Sequence, residues 1–149
     1  MNELLDKAIE LARKYHEGQF DKGGYPYIDH PLRVMKGVES LEEKVLAVLH
    51  DVLEDCDVSR DKLIKEGIPE YLVEKLESLC KRKNEKYFDY IDRVKVDKLT
   101  INVKLSDLQD NMNLSRLKII TEEDKKRLEK YIKAKEILEK YKLQIIKSN

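Results

Sequence analysis

Apolar residues recur at intervals of three and four along almost the whole chain, and the alternation that marks a half-buried strand is hard to find. That one pattern restricts the chain to helix packed on helix. Leu4, Leu5, Ala8, Leu11, Ala12 and Tyr15 predict an amphipathic helix over residues 3–16, stopped by Gly18. The stretch GQFDKGGYPYIDHP, residues 18–31, holds three of the five glycines and two of the three prolines, so it is expected to be a long irregular loop. Pro31 suits the first turn of a short helix, 31–38, with His30 left outside because a residue before proline disfavours helical geometry. SLEE, residues 40–43, is a capping-box pattern that opens a helix through Val45, Leu46, Val48, Leu49, Val52 and Leu53. Ser59 can cap a short helix ending at Gly67, and Pro69 can start another running to about Lys81. Residues 84–94 and 99–113 predict two more helices, and Thr121 with Asp124 caps a last one over 122–143. Internal repeats and low-complexity tracts are absent. The expectation is a single all-α domain of about seven or eight helices occupying 149 residues.

Charge narrows the function. Charged residues make up 40% of the chain and cancel to a formal zero, which leaves no basic excess to hold a nucleic-acid backbone. Anion binding must then come from a local pocket. Cys56 and Cys80 form no CxxC pair and are too few for a thiolate metal site, so two reduced thiols in a cytoplasmic protein are expected. The opening MNELLDKAIELARKYHEG places acidic residues early and has no long uncharged run, so neither a signal peptide nor a membrane span is expected.

One helix carries an oddity. LHDVLED, residues 49–55, puts His50, Asp51, Glu54 and Asp55 on adjoining turns with no cation among them. Carboxylates so placed repel one another by a few tenths of a kcal/mol each, about the magnitude of helix-surface pairs. Taken alone, the stretch is read equally well as a solvated face or as groups sharing a divalent cation that offsets their charge. VKLSDLQDN, residues 103–111, repeats the pattern with Asp107, Asp110 and Asn111, and His30 stands at a loop-to-helix junction. Two imidazoles and two carboxylates, His30, His50, Asp51 and Asp107, form a mixed nitrogen and oxygen set that suits Mn²⁺, Fe²⁺ or Zn²⁺ better than Ca²⁺. Glu54, one turn beyond His50, is placed to accept a proton from a metal-held water, with Asp55 further round the helix. His16 ends the first helix, where a capping or supporting role fits the dipole. Lys104 and Arg116 flank the third segment and could face either phosphates or solvent.

The order of these segments resembles the HD-domain metal-dependent phosphohydrolases. AIELARKYHEGQFDKGGYPYIDHPLRV, AVLHDVLED, YFDYIDRV and VKLSDLQDN match best the (p)ppGpp hydrolase branch, the hydrolase half of RelA/SpoT-type enzymes and the small alarmone hydrolases. The likeness runs from about Leu4 to Leu117. It implies an HD-domain helical bundle with Mn²⁺ held by His30, His50, Asp51 and Asp107, and Glu54 and Asp55 acting on the water nucleophile. It also implies a nucleotide pocket bordered by Lys22, Tyr27 and Asn111, and hydrolysis of the 3′-diphosphate of ppGpp or pppGpp to GDP or GTP and pyrophosphate. Two other readings stay open: phosphatase action on another nucleotide such as NADPH, and a non-catalytic nucleotide-binding module. The chain departs from its relatives at Phe20 and Asp21, where basic residues are common before Lys22, and at Leu79-Cys80, where many read Leu-Thr.

Overall fold

The computed structural model describes residues 2 to 148. Eight α-helices follow one another: α1 (Glu3–Tyr15), α2 (Asp29–Lys36), α3 (Leu41–Asp55), α4 (Arg60–Lys65), α5 (Glu70–Ser78), α6 (Tyr87–Val94), α7 (Lys98–Asn111) and α8 (Glu122–Ser148), with a 3₁₀ turn at Leu114–Arg116. Among the described residues the only strand-like pairing is an isolated bridge between Phe20 and Pro26. No described helix is long and apolar enough to cross a membrane.

The third helix is the axis of the molecule. Every residue from Val45 to Val52 is buried, and α3 packs against α1, α2, α5 and α7. A helix apolar on nearly all sides belongs in a core, and this one is enclosed by neighbours from both halves of the chain. The expected capping box starts it: Ser40 Oγ accepts the Glu43 N–H at 3.1 Å, and Glu43 Oε1 accepts the Ser40 N–H at 3.1 Å. Ser59 caps α4 through the Lys62 N–H, and Gly67 beyond it takes φ +105, open to glycine without penalty. Thr121 and Asp124 cap α8 reciprocally, at 3.1 Å and 2.9 Å.

Several boundaries differ from expectation, each for a local reason. His30 lies inside α2, in its first turn. Pro31 sits in the first turn, where its missing N–H costs no helix bond, and the His30 N–H takes the Tyr27 carbonyl at 3.0 Å, so the helix starts at Asp29, two residues before the proline, and ends at Lys36, ahead of Gly37. The fifth helix stops at Ser78 rather than near Lys81, because side chains capture its terminal carbonyls. Tyr90 Oη donates to Leu79 O at 2.6 Å, and Arg93 donates to Ser78 O and Cys80 O. The sixth begins at Tyr87 rather than 84, after Asn84 turns left-handed at φ 65. The seventh ends at Asn111, two residues early, and Asn113 caps the 3₁₀ turn that follows. The eighth runs to Ser148, since nothing in KLQIIK breaks a helix and Ile145 still rests on the core.

Loop 18–28 is more ordered than its composition suggests. Asp21 Oδ1 accepts the N–H groups of Gly23 and Tyr25, both at 2.9 Å, and pins a tight turn that presents Lys22. A methyl group on Gly23 would strike the Arg116 carbonyl oxygen, so only glycine lets the loop close on the 3₁₀ turn.

Candidate metal centre

Three helices bring their polar residues to one buried point. From α2 comes His30, from α3 come His50 and Asp51, and from α7 comes Asp107, and all four are buried. Asp107 Oδ1 lies 2.9 Å from His30 Nε2 and 3.1 Å from His50 Nε2. Asp51 Oδ2 stands 3.5 Å from His30 Nε2 and 3.2 Å from His50 Nε2. His30, His50 and Asp107 each offer a donor atom within 4.8 Å of the others, a spacing that one ion can span.

The far sides of both imidazoles carry the chemical argument. His50 Nδ1 lies 2.6 Å from the Ala47 carbonyl, and His30 Nδ1 lies 2.7 Å from Asp110 Oδ2. Both partners only accept, so both Nδ1 atoms carry hydrogen. A neutral imidazole then turns its Nε2 lone pair toward Asp51 and Asp107. Lone pairs facing carboxylate oxygens at about 3 Å repel unless a proton or a cation lies between them. Without a metal the proton is the answer: burial lowers the His30 pKa, but hydrogen bonds to Asp107 and Asp110 outweigh it and push it up to about 10. His50 is also raised, its burial opposed by the charges of Asp51 and Asp107. Donor set, tautomers and spacing all fit a divalent ion.

The remaining groups divide into those touching this centre and those near it. Tyr27 Oη donates to Asp51 Oδ2 at 2.7 Å, and burial with the Asp51 charge holds its pKa well above the usual phenol range. Asn111 Nδ2 donates to Asp107 Oδ1 at 3.2 Å. Lys104 is neither at a phosphate-facing surface nor in solvent. Its ammonium is buried 2.7 Å from Asp107 Oδ2 and over the Tyr90 ring, and that charge, with His50, outweighs burial in holding Asp107 well below the usual carboxylate range. Arg116 differs from Lys104: it donates to Asp110 and also lines a cavity beside the centre. Glu54 and Asp55 sit at the exposed end of α3 and make no hydrogen bond to the four central residues. Glu54 Oε1 accepts the Lys81 N–H at 3.2 Å, and desolvation by the surrounding protein, then Asp55 and Asp51, raises its pKa. Asp55 is raised by the same burial and by Asp51. His16 does end α1, with Nδ1 2.9 Å from Gln19 Oε1, while its buried Nε2 has no hydrogen-bond partner.

A cavity of about 450 Å³ opens beside His30 and Tyr27, bounded by the 18–28 loop, the 3₁₀ turn and α8. Lys22, Arg33, Arg116 and Arg127 line it, with Asn111 and Tyr131. Sequence reasoning missed Arg33, Arg127 and Tyr131. Arg33 stands three residues after His30, one helical turn on the same side, which is a usable signal. Arg127 and Tyr131 left none, since α8 meets the loop only through tertiary packing.

An all-helical bundle with a His/His-Asp/Asp cluster at the meeting of three helices defines an HD-type domain. No family model matches the chain. The guanosine-3′,5′-bis(diphosphate) 3′-pyrophosphohydrolase of Aquifex aeolicus is 34% identical over 93% of this chain, which spans 20% of that protein's length. The protein of the same name from Vibrio cholerae is 43% identical over 41% of the chain and 9% of its own length. A solved structure described as a metazoan orthologue of SpoT that hydrolyses ppGpp shares the fold, with a TM-score of 0.77 and 18% identity over 99% of this chain and 96% of that one. The chain belongs to the HD-domain family, and its sequence likeness is to the (p)ppGpp hydrolase branch; the solved structure shows the shared fold.

Proposed function

We propose that the chain is a divalent-metal-dependent hydrolase that removes the 3′-diphosphate of ppGpp or pppGpp, giving GDP or GTP and pyrophosphate. The observation that carries this reading is the convergence of His30 Nε2, His50 Nε2 and Asp107 Oδ1, with Asp51 beside them, next to a cavity lined by four cations. These four residues hold Mn²⁺, with Fe²⁺ or Zn²⁺ as alternatives for the same donors. A bound ion of this kind acidifies a water and offsets charge on phosphoryl oxygens.

The chain's own groups do the rest. Glu54, its pKa raised by partial burial and by Asp55 and Asp51, takes the proton of the attacking water, a task that favours a carboxylate tuned toward neutrality. Asp55, about 100° further round the end of α3, steadies the charge there or returns a proton to the leaving group. Lys22 and Asn111 meet the nucleotide from the cavity rim, and Tyr27 borders it while holding Asp51. The chain matches about a fifth of the Aquifex protein, and that protein's name carries the activity proposed here, which supports the reading. Two free thiols, Cys56 and Cys80, fit a reducing cytoplasm.

Pyrophosphate release from ppGpp, followed with and without Mn²⁺, tests the proposal. The expected result is metal-dependent release, and Glu54→Gln should keep metal uptake while losing rate by about 10²-fold or more. Orthophosphate release from NADPH with intact ppGpp would replace the substrate, and full activity in Glu54→Gln would remove that residue from the mechanism.

A further inference from the structure

We propose that Asp110 is a positioning residue that fixes the metal-facing orientation of His30 and is clamped for that task by Arg33 and Arg116. The inference rests on the metal reading above. The two central imidazoles are steered by different means. His50 is steered by its own helix, through the Ala47 carbonyl at 2.6 Å, and this bond forms wherever α3 forms. His30 has no such local partner and depends on a carboxylate from another helix, 80 positions away in sequence, at 2.7 Å.

That carboxylate is itself immobilised. Arg33 Nε donates to Asp110 Oδ1 at 2.7 Å and Arg33 Nη2 to Oδ2 at 3.1 Å, a two-point fork that fixes the carboxylate plane. Arg116 Nη2 adds a bond to the Asp110 main-chain carbonyl at 2.9 Å and another to Oδ2 at 3.3 Å. His30 and Arg33 lie one turn apart on α2 and both reach Asp110, so the group also sets the register of α2 against α7. The Asp110 side chain is only 11% exposed, unlike an ordinary surface ion pair.

The arrangement has a chemical consequence. A carboxylate behind a metal-binding histidine fixes the ring's tautomer and makes its other nitrogen a better donor. The two guanidiniums offset Asp110's charge, so the centre gains this donor strength without gaining a further unbalanced anion.

The test uses the full chain with Mn²⁺ alone as the probe, by calorimetric titration. Asp110→Asn matches the shape but replaces two charged acceptor oxygens by one neutral oxygen and an N–H₂ that must face either His30 Nδ1 or Arg33 Nε, and it should weaken Mn²⁺ uptake about 10- to 100-fold with unchanged helical circular dichroism. In ¹⁵N-labelled, metal-free protein, the far-downfield His30 Hδ1 resonance should move upfield in this variant while that of His50 stays. A purely structural role would not separate the two rings. Should Asp110→Asn fail to fold, Arg33→Met leaves every carboxylate in place and should still weaken uptake. Wild-type Mn²⁺ affinity in Asp110→Asn, or in Arg33→Met where the first does not fold, overturns the proposal, as does an unmoved His30 resonance. If His30→Ala abolishes uptake while Asp110→Asn leaves it unchanged, this role falls and the metal reading stands. A wild-type chain that takes up no Mn²⁺ overturns both.

Discussion

Asp107 makes four polar contacts with two oxygens: Oδ1 meets His30, His50 and Asn111, and Oδ2 meets Lys104. Asp51 depends on Tyr27 in a similar way, and removing that hydroxyl isolates its contribution. Tyr27→Phe should weaken Mn²⁺ binding by about tenfold, the lower end of what loss of a supporting hydrogen bond costs a metal ligand, as read by calorimetry. Protons compete for the same centre, and the sign of their effect can be worked out. His30 rises from an ordinary 6.5 to about 10 in the metal-free fold, so between those values the folded chain holds a proton that the unfolded chain has released. The stabilisation is complete below pH 6.5 and disappears as pH climbs through 10. The melting temperature in the presence of a chelator should therefore fall across that window, and a flat profile would show that the two imidazoles do not share the charge of Asp107 and Asp51.

At the scale of elements, α3 supplies two of the four central residues, and its capping box and buried run hold them in place independently of any ligand. The 18–28 loop is different: it is held by Asp21, by the Phe20–Pro26 bridge and by its close approach to Arg116. A side chain at Gly23 must push the loop off the 3₁₀ turn and widen the cavity. Gly23→Ala should raise KM for ppGpp while leaving Mn²⁺ affinity at the wild-type level, because the loop borders the cavity but supplies none of the four central donors. Equal effects on both would mean that the loop and the metal centre move as one body. Helix α8 closes the opposite side of that cavity with Arg127 and Tyr131, and its N-terminal Asp124 draws in both Lys22 and Arg127. One capping residue thus ties the helix start to two cations of the cavity wall.

For the whole molecule, a metal that binds only the folded chain must stabilise it. At a free Mn²⁺ concentration of 100 times Kd the gain is about 2.7 kcal/mol, read as a rise in melting temperature that a chelator reverses. A melting temperature indifferent to Mn²⁺ would argue against a centre joining α2, α3 and α7. The sequence carried more of this molecule than its tertiary puzzle suggests. The period of three and four, the caps at Ser40, Ser59 and Thr121, and the clustering of His50 with Asp51 are local properties, so helix number, helix type and the candidate donors could be read in one dimension. Segment order was enough to suggest the HD family. The partners of those donors could not be read, because each contact crosses between elements: Asp110 behind His30, Lys104 folded inward onto Asp107, and Arg127 and Tyr131 across the cavity from Lys22. Local spacing decides which side chains share a helix face. Only packing of one helix against another decides which of them share a proton, an ion or a pocket.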